Sequence, residues 1–181
     1  MKKPINSNMY ERVLQGTWDV FGDYLNGARE SLLCIVSTPP LSDRAKSALQ
    51  SSFAQLGYGA FPCTFFTLQG NAAAGAASAA AAPADVGASP ATSPSSPLPH
   101  LSEKEVFAVI EGLDPLLLVI TDAAAIRTCS QAYHQEVPPD QRSRVLGREV
   151  RAFSSFDGML DDPKGKQEAW ALLKSLPKRN A

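Results

Sequence analysis

The sequence predicts a three-layer α/β/α domain built on a mostly parallel, four-stranded sheet. Three observations carry that expectation. Short continuous apolar runs alternate along the chain with longer segments of helical period. The runs lack the polar alternation of a half-solvated strand, and helix start and stop signals fall between them. A chain of 181 residues, 44% hydrophobic and 19% charged, suits one domain over 1–181 rather than two.

The first element is a helix. Tyr10, Val13, Leu14, Thr17, Trp18, Phe21 and Leu25 recur at steps of three and four, and Asn26-Gly27 is a plausible stop. Leu32-Leu33-Cys34-Ile35-Val36 then reads as a strand buried on both faces. Ser42 can cap a second helix with inner positions Ala45, Ala48, Leu49, Phe53 and Leu56, ended by Gly57. Phe61 to Leu68, rich in aromatic and β-branched residues, reads as the second strand. Residues 71–99 hold one charge, Asp85, no aromatic, two glycines and five prolines. Ordering such a segment would cost chain entropy with nothing large to bury, so a disordered Ala/Ser/Pro-rich insertion within the one domain is expected there.

The alternation then resumes. Ser102-Glu103-Lys104-Glu105 is a capping box, and Val106, Phe107, Val109, Ile110 and Leu113 follow it at helical spacing. Asp114-Pro115 breaks that helix before Leu116–Ile120, the clearest buried strand. Thr121-Asp122 opens an Ala-rich helix through Tyr133. A polar stretch from His134 to Arg142 leads to a fourth strand over Glu149–Phe153. Asp161 and Asp162 before Pro163 mark the start of a last helix, stopped by Pro177.

In open sheets of this kind the working cleft lies outside the carboxyl ends of the strands. That rule makes Ser37, Thr38, Gln69, Thr121, Asp122, Ser154 and Ser155 the candidate cleft-lining residues, with helix capping and turn formation as their competing structural roles. The net charge of −1 excludes an overall basic field, but 142–179 carries nine basic against five acidic residues. Arg142, Arg144, Arg148 and Arg151 are therefore candidate contacts for DNA phosphates, weighed against an ordinary solvated face. Tyr10, Trp18 and Phe21 form either a core face or a stripe for docking a protein partner. Cys34, Cys63 and Cys129, scattered within apolar runs, read as buried thiols in a reducing compartment. With no phosphate-loop motif and no clustered ligands, no cofactor and no metal are expected. The absence of a signal-peptide core or a transmembrane stretch predicts a cytoplasmic protein with no membrane partner.

The order of elements and the tail resemble the uracil-DNA glycosylase superfamily. Phe153-Ser154-Ser155-Phe156-Asp157-Gly158-Met159-Leu160-Asp161-Asp162-Pro163-Lys164, with Trp170 beyond it, is similar to that family's closing pattern of loop, leucine, Asp/Asn-Pro step, lysine and tryptophan. Asp114-Pro115, the strand to Ile120 and Thr121–Ala125 resemble the segment where the family's strand ends in Leu-Gly-x-x-Ala. The helix Ala45–Gly57 followed by Phe61–Leu68 matches a further helix–glycine–strand step. The resemblance implies the family's fold, in a bacterial replication or repair setting. The chain departs from the family where chemistry is done. Its first loop is Ser37-Thr38-Pro39-Pro40-Leu41-Ser42-Asp43, not Gly-rich. Its second strand ends Thr67-Leu68-Gln69 without the base-reading asparagine. Phe153-Ser154-Ser155-Phe156 stands where a histidine should stabilise the leaving base. A looser likeness is to the psi subunits of bacterial DNA polymerase III clamp loaders, non-catalytic members of the same fold group. It rests on Leu14-Gln15-Gly16-Thr17-Trp18 before the first strand and the closing tryptophan helix. The expectation is a non-catalytic protein that binds a protein or DNA. The alternative is a divergent uracil-DNA glycosylase acting on a flipped base.

Overall fold

A computed structural model describes residues 8–59, 62–70 and 99–177. Phe61 and, but for Pro99, the Ala/Ser/Pro-rich insertion lie outside the described residues. The helices are α1 (Met9–Phe21), α2 (Asp43–Gln55), α3 (Glu103–Leu113), α4 (Ala123–Tyr133), α5 (Phe156–Met159) and α6 (Pro163–Lys174). The strands are β1 (Leu25–Gly27), β2 (Leu33–Ser37), β3 (Cys63–Thr67), β4 (Leu117–Ile120), β5 (Arg142–Val145) and β6 (Arg148–Ala152). They form one sheet in the order β1-β3-β2-β4-β6-β5.

The α/β class is as expected, but the sheet is six-stranded and mixed rather than four-stranded and mostly parallel. The four expected strands do make the parallel centre, β3-β2-β4-β6. Each edge adds an antiparallel strand. At one edge, the Asn26-Gly27 helix stop is also a strand. After α1 a single 3-10 turn (Gly22–Tyr24) reverses the chain, and Leu25–Gly27 runs back along β3. Only glycine suits position 27, where φ is +94° and a Cβ would collide with the Cys63 carbonyl. At the other edge, β5 and β6 form a hairpin across Leu146-Gly147, both with positive φ (47° and 85°), the geometry of a type I′ turn. Its arginine-rich strand reads as polar loop because an edge strand needs few apolar residues.

Helices cover both faces. Cys34, Val36, Phe66, Leu118, Ile120 and Val150 pack against α1, α3 and α4, through Leu14, Val106, Val109, Ile110, Ile126 and Cys129 among others. Leu33, Ile35, Phe65, Leu117 and Val119 point the opposite way, toward Ala45, Leu49 and Phe53 of α2 and Ala169 and Leu173 of α6. This alternation follows from the period of two along each strand. Local signals set the helix starts: Ser42 accepts from the Ala45 N–H, Ser102 and Glu105 close a full capping box, and Asp162 caps α6 ahead of Pro163. Among the described residues no helix is long and apolar enough to cross a membrane.

Two arginines lock the core polar groups. Arg148 reaches from β6 to the carboxylates of Glu111 and Asp114 and to the Pro115 carbonyl (3.0 Å), while Tyr133 donates to Glu111 Oε1 at 2.8 Å. Burial opposes ionisation of Glu111, but the hydrogen bonds from Arg148 and Tyr133 outweigh it and hold the carboxyl below its ordinary pKa. Arg151 is fully buried. It donates to the hydroxyl (2.9 Å) and carbonyl (3.0 Å) of Ser175 at the C-terminal end of α6, and to the Val150 carbonyl.

Candidate functional site

Strand order locates the switch point. The chain leaves β2 for β3 on one side and then returns to β4 on the other, so the carboxyl ends of β2 and β4 flank the place where such sheets bind ligands. The structure brings most of the candidate cleft residues together there, and it binds them to one another. Asp122, the N-cap of α4, accepts from the Ala125 N–H through Oδ1 (2.8 Å) and from the Thr38 N–H through Oδ2 (2.7 Å). Thr121 is buried, with its hydroxyl donating to the Val36 carbonyl at 3.1 Å. Ser37 and Thr38 are buried as well, and their carbonyls accept from the Leu68 and Gln69 N–H groups. Gln69 itself is exposed beside this seam.

The third loop is stitched to the second. Asp122 bridges Ser155, the Ala123 N–H donates to the Ser154 carbonyl, and the Phe156 N–H donates to the Thr121 carbonyl. Ser155 caps α5 by accepting from the Gly158 N–H, and the Ser154 hydroxyl donates to Asp140 Oδ2 at 2.5 Å. The Thr38 hydroxyl alone in this group is buried with no hydrogen-bond partner among the described residues. Both oxygens of the Asp122 carboxylate thus accept from backbone N–H groups, which fixes its orientation and ties the β2 loop to α4.

A cavity of about 520 Å³ does open nearby, at the carboxyl end of β6. Ser154, Ser155, Asp140 and Glu168 line it over Met159 and Leu172. Asp140 and Glu168 were not singled out from the sequence. A pointer to the first was Pro138-Pro139-Asp140, whose aspartate takes a left-handed turn conformation (φ 55°). Glu168 sits on an exposed helix face with nothing to distinguish it.

The four arginines do not share one exposed face. Arg142 and Arg144 are exposed, whereas Arg148 and Arg151 hold the fold together as described above. Glu149 joins Arg144 (2.5 Å) to Arg151 (3.2 Å), and the Arg144 hydrogen bond foremost keeps its carboxyl below the usual range. Of the α1 aromatics, Trp18 and Phe21 pack against the core and only Tyr10 is exposed. The Arg29 guanidinium lies 5.5 Å from the Trp18 ring, and the Trp18 indole N–H is buried without a partner among the described residues. The exposed large apolar side chains of α1 are Met9, Tyr10, Val13 and Val20, so Tyr10 and Val13 of the expected stripe face solvent while Leu14, Thr17, Trp18 and Phe21 pack inward.

Cys34, Cys63 and Cys129 are all buried free thiols. Burial pushes Cys63 and Cys129 up to about 12 and Cys34 further, so none is a thiolate at neutral pH. Among the described residues no cluster of three or more His, Cys, Asp or Glu side chains could hold a metal ion. No family model matches the chain, and no curated protein matches it either.

Proposed function

We propose that this chain is a non-catalytic α/β protein that works by binding a protein partner, in DNA replication or repair. The setting comes from the likeness to the uracil-DNA glycosylase superfamily and to psi subunits noted in the sequence. The observation that favours binding over catalysis is the state of Asp122. It occupies the position best suited for a catalytic carboxylate, yet both oxygens accept main-chain hydrogen bonds that tie the β2 loop to α4. Those bonds give the carboxylate a structural role, as helix cap and loop tie, that accounts for its position without catalysis. A base-flipping enzyme also needs an open pocket at that point, and among the described residues the loops there are joined to each other.

A second reading keeps catalysis, as a divergent glycosylase, and moves it to the neighbouring cavity. There Asp140 and Glu168 are two carboxylates facing one space beside Ser154. One experiment separates the two. A single-stranded oligonucleotide containing uracil is incubated with the protein in excess, and free base is measured in single turnover. The binding reading expects no release above the protein-free rate. Release that Asp140→Asn abolishes would transfer the assignment to the glycosylase. In parallel, cross-linked affinity capture should recover a replication or repair protein; capture that returns only the chain itself would refute the partner class.

A further inference from the structure

The opposite end of the sheet holds a second concavity, outside the cleft to which the strand-end rule points. A cavity of about 600 Å³ crosses the amino ends of β2 and β4, with an apolar wall of Leu32, Tyr58, Leu116, Leu117 and Pro177. Its size lies within the range of small-ligand and side-chain pockets. Leu116 is 59% exposed at its rim, and Leu146, in the adjoining hairpin turn, is 66% exposed. Two large exposed leucines beside an apolar hollow leave water against surface that a partner would cover.

The polar side of this hollow comes from the β5–β6 hairpin. Arg144 and Glu149 line it, and the antiparallel register sets Arg142 opposite Arg151 and Arg144 opposite Glu149, on one face of the sheet. Three arginines therefore share this face with one carboxylate. Glu149 is shared by Arg144 and Arg151, while Arg142 is exposed and makes no ion pair among the described residues. The Arg144 side chain is 74% exposed, so its cation remains open to a second carboxylate. The face carries surplus positive charge in a chain whose net charge is −1.

We propose that this hollow is the docking site for an acidic peptide segment of the partner protein, with an apolar side chain inserted between Leu32 and Leu116 and flanking carboxylates on Arg142 and Arg144. Nucleic acid is disfavoured because the wall is mainly aliphatic and Tyr58, its one aromatic among the described residues, gives its hydroxyl to the Pro177 carbonyl. Pairing of the segment as an added strand is disfavoured too, since Gln135 already donates to the Arg144 carbonyl at 2.7 Å on the β5 edge. The inference rests on reading the chain as a binding protein, and it adds where the partner sits and what chemistry it presents.

Fluorescence anisotropy tests it on the full chain, with a short fluorescein-labelled peptide alternating glutamate with leucine and its counterpart alternating lysine with leucine. The glutamate peptide should bind, more tightly as salt is lowered. The double variant Arg142→Glu/Arg144→Glu and the separate variant Leu116→Asp should each weaken binding about tenfold or more. Arg142→Glu alone, at an exposed unpaired position, guards against loss through misfolding and should weaken it about threefold or more. Amide chemical-shift changes on titration should centre on Leu32, Leu116 and Gly147. Failure of the glutamate peptide to bind, equal binding of the lysine peptide, or variants within about twofold of the parent overturn the assignment. If the peptide fails while affinity capture still returns a partner, the hollow is discarded and the binding reading stands. If uracil is released, it is that reading which falls.

Discussion

Replacing Asp122 with alanine separates a structural strut from a reacting carboxylate. Two terms set the size of the effect. The first is the helix cap: Asp122 accepts from the Ala125 N–H at 2.8 Å, and losing such a cap costs about 1 kcal/mol. The second is the Thr38 N–H, which donates to the other oxygen at 2.7 Å and belongs to a residue only 7% exposed. Stranding a buried donor costs roughly 1–3 kcal/mol. Together they give a loss of about 3 kcal/mol, or a fall in melting temperature of roughly 6–12 °C for a domain of this size. Asp122→Asn keeps one acceptor and turns an amide N–H₂ toward the other donor, so it should lose about half as much. Urea unfolding followed by tryptophan fluorescence and circular dichroism measures this, with an unchanged m value showing that stability alone has moved. A variant within about 0.5 kcal/mol of the parent, or one more stable than it, would refute the reasoning, because relief on removal marks a carboxylate held under strain for chemistry.

Three further outcomes follow from the packing. Gly112→Ala places a Cβ against the Thr17 hydroxyl and 3.1 and 3.2 Å from Thr17 Cβ and Cγ2, so turning the threonine only exchanges one clash for another. Overpacking of roughly 1–3 kcal/mol should exceed the ~1 kcal/mol gained in helix propensity, and a double-mutant cycle with Thr17→Ala should show coupling rather than additivity. Arg151→Met removes a fully buried guanidinium and leaves the Ser175 carbonyl and one oxygen of the partly buried Glu149 without it. It should cost about 3 kcal/mol, and hydrogen exchange should rise first in α6; unaltered exchange there would contradict the clamp. Glu111 has a folded pKa below its unfolded one, so its contribution is complete above the unfolded value and disappears as pH falls through the folded value. The parent should therefore lose urea stability below about pH 4.5, while Glu111→Gln, weaker at neutral pH, should lose less over that window; parallel curves would show that Glu111 does not drive the change.

Legibility in the sequence tracked how local each determinant is. Leu33–Ser37 and Leu117–Ile120 are legible as doubly buried strands because every residue in them is buried, a property that leaves an uninterrupted apolar run. The Ser102 capping box and the Asp122 cap are legible because donor and acceptor lie three residues apart. β1 escapes notice: three residues, Leu-Asn-Gly, are too few for a period, and their strand character comes from pairing with Phe65 and Phe66. β5 escapes because Arg-Ser-Arg-Val reads as solvent-exposed, although Leu146-Gly147 between its two strands is a hairpin signal. Ser154 and Ser155 are placed at the right loop by sequence, but their company, Asp140 and Glu168, is not.

What the amino-acid order determined alone was which segments would be buried, where helices would begin, and the α/β class that follows. Only the folded chain decided the strand order, the two antiparallel edges, the burial of Arg151 against Ser175, and the hollow shared by Leu32, Tyr58, Leu116, Gly147 and Pro177. The reason is one of range. Hydrophobic period and capping act within a turn or two of the chain. The pairing of an arginine with a helix end 24 residues away, or of a leucine with a proline on another layer, depends on how whole elements pack, and no short window of sequence contains that information.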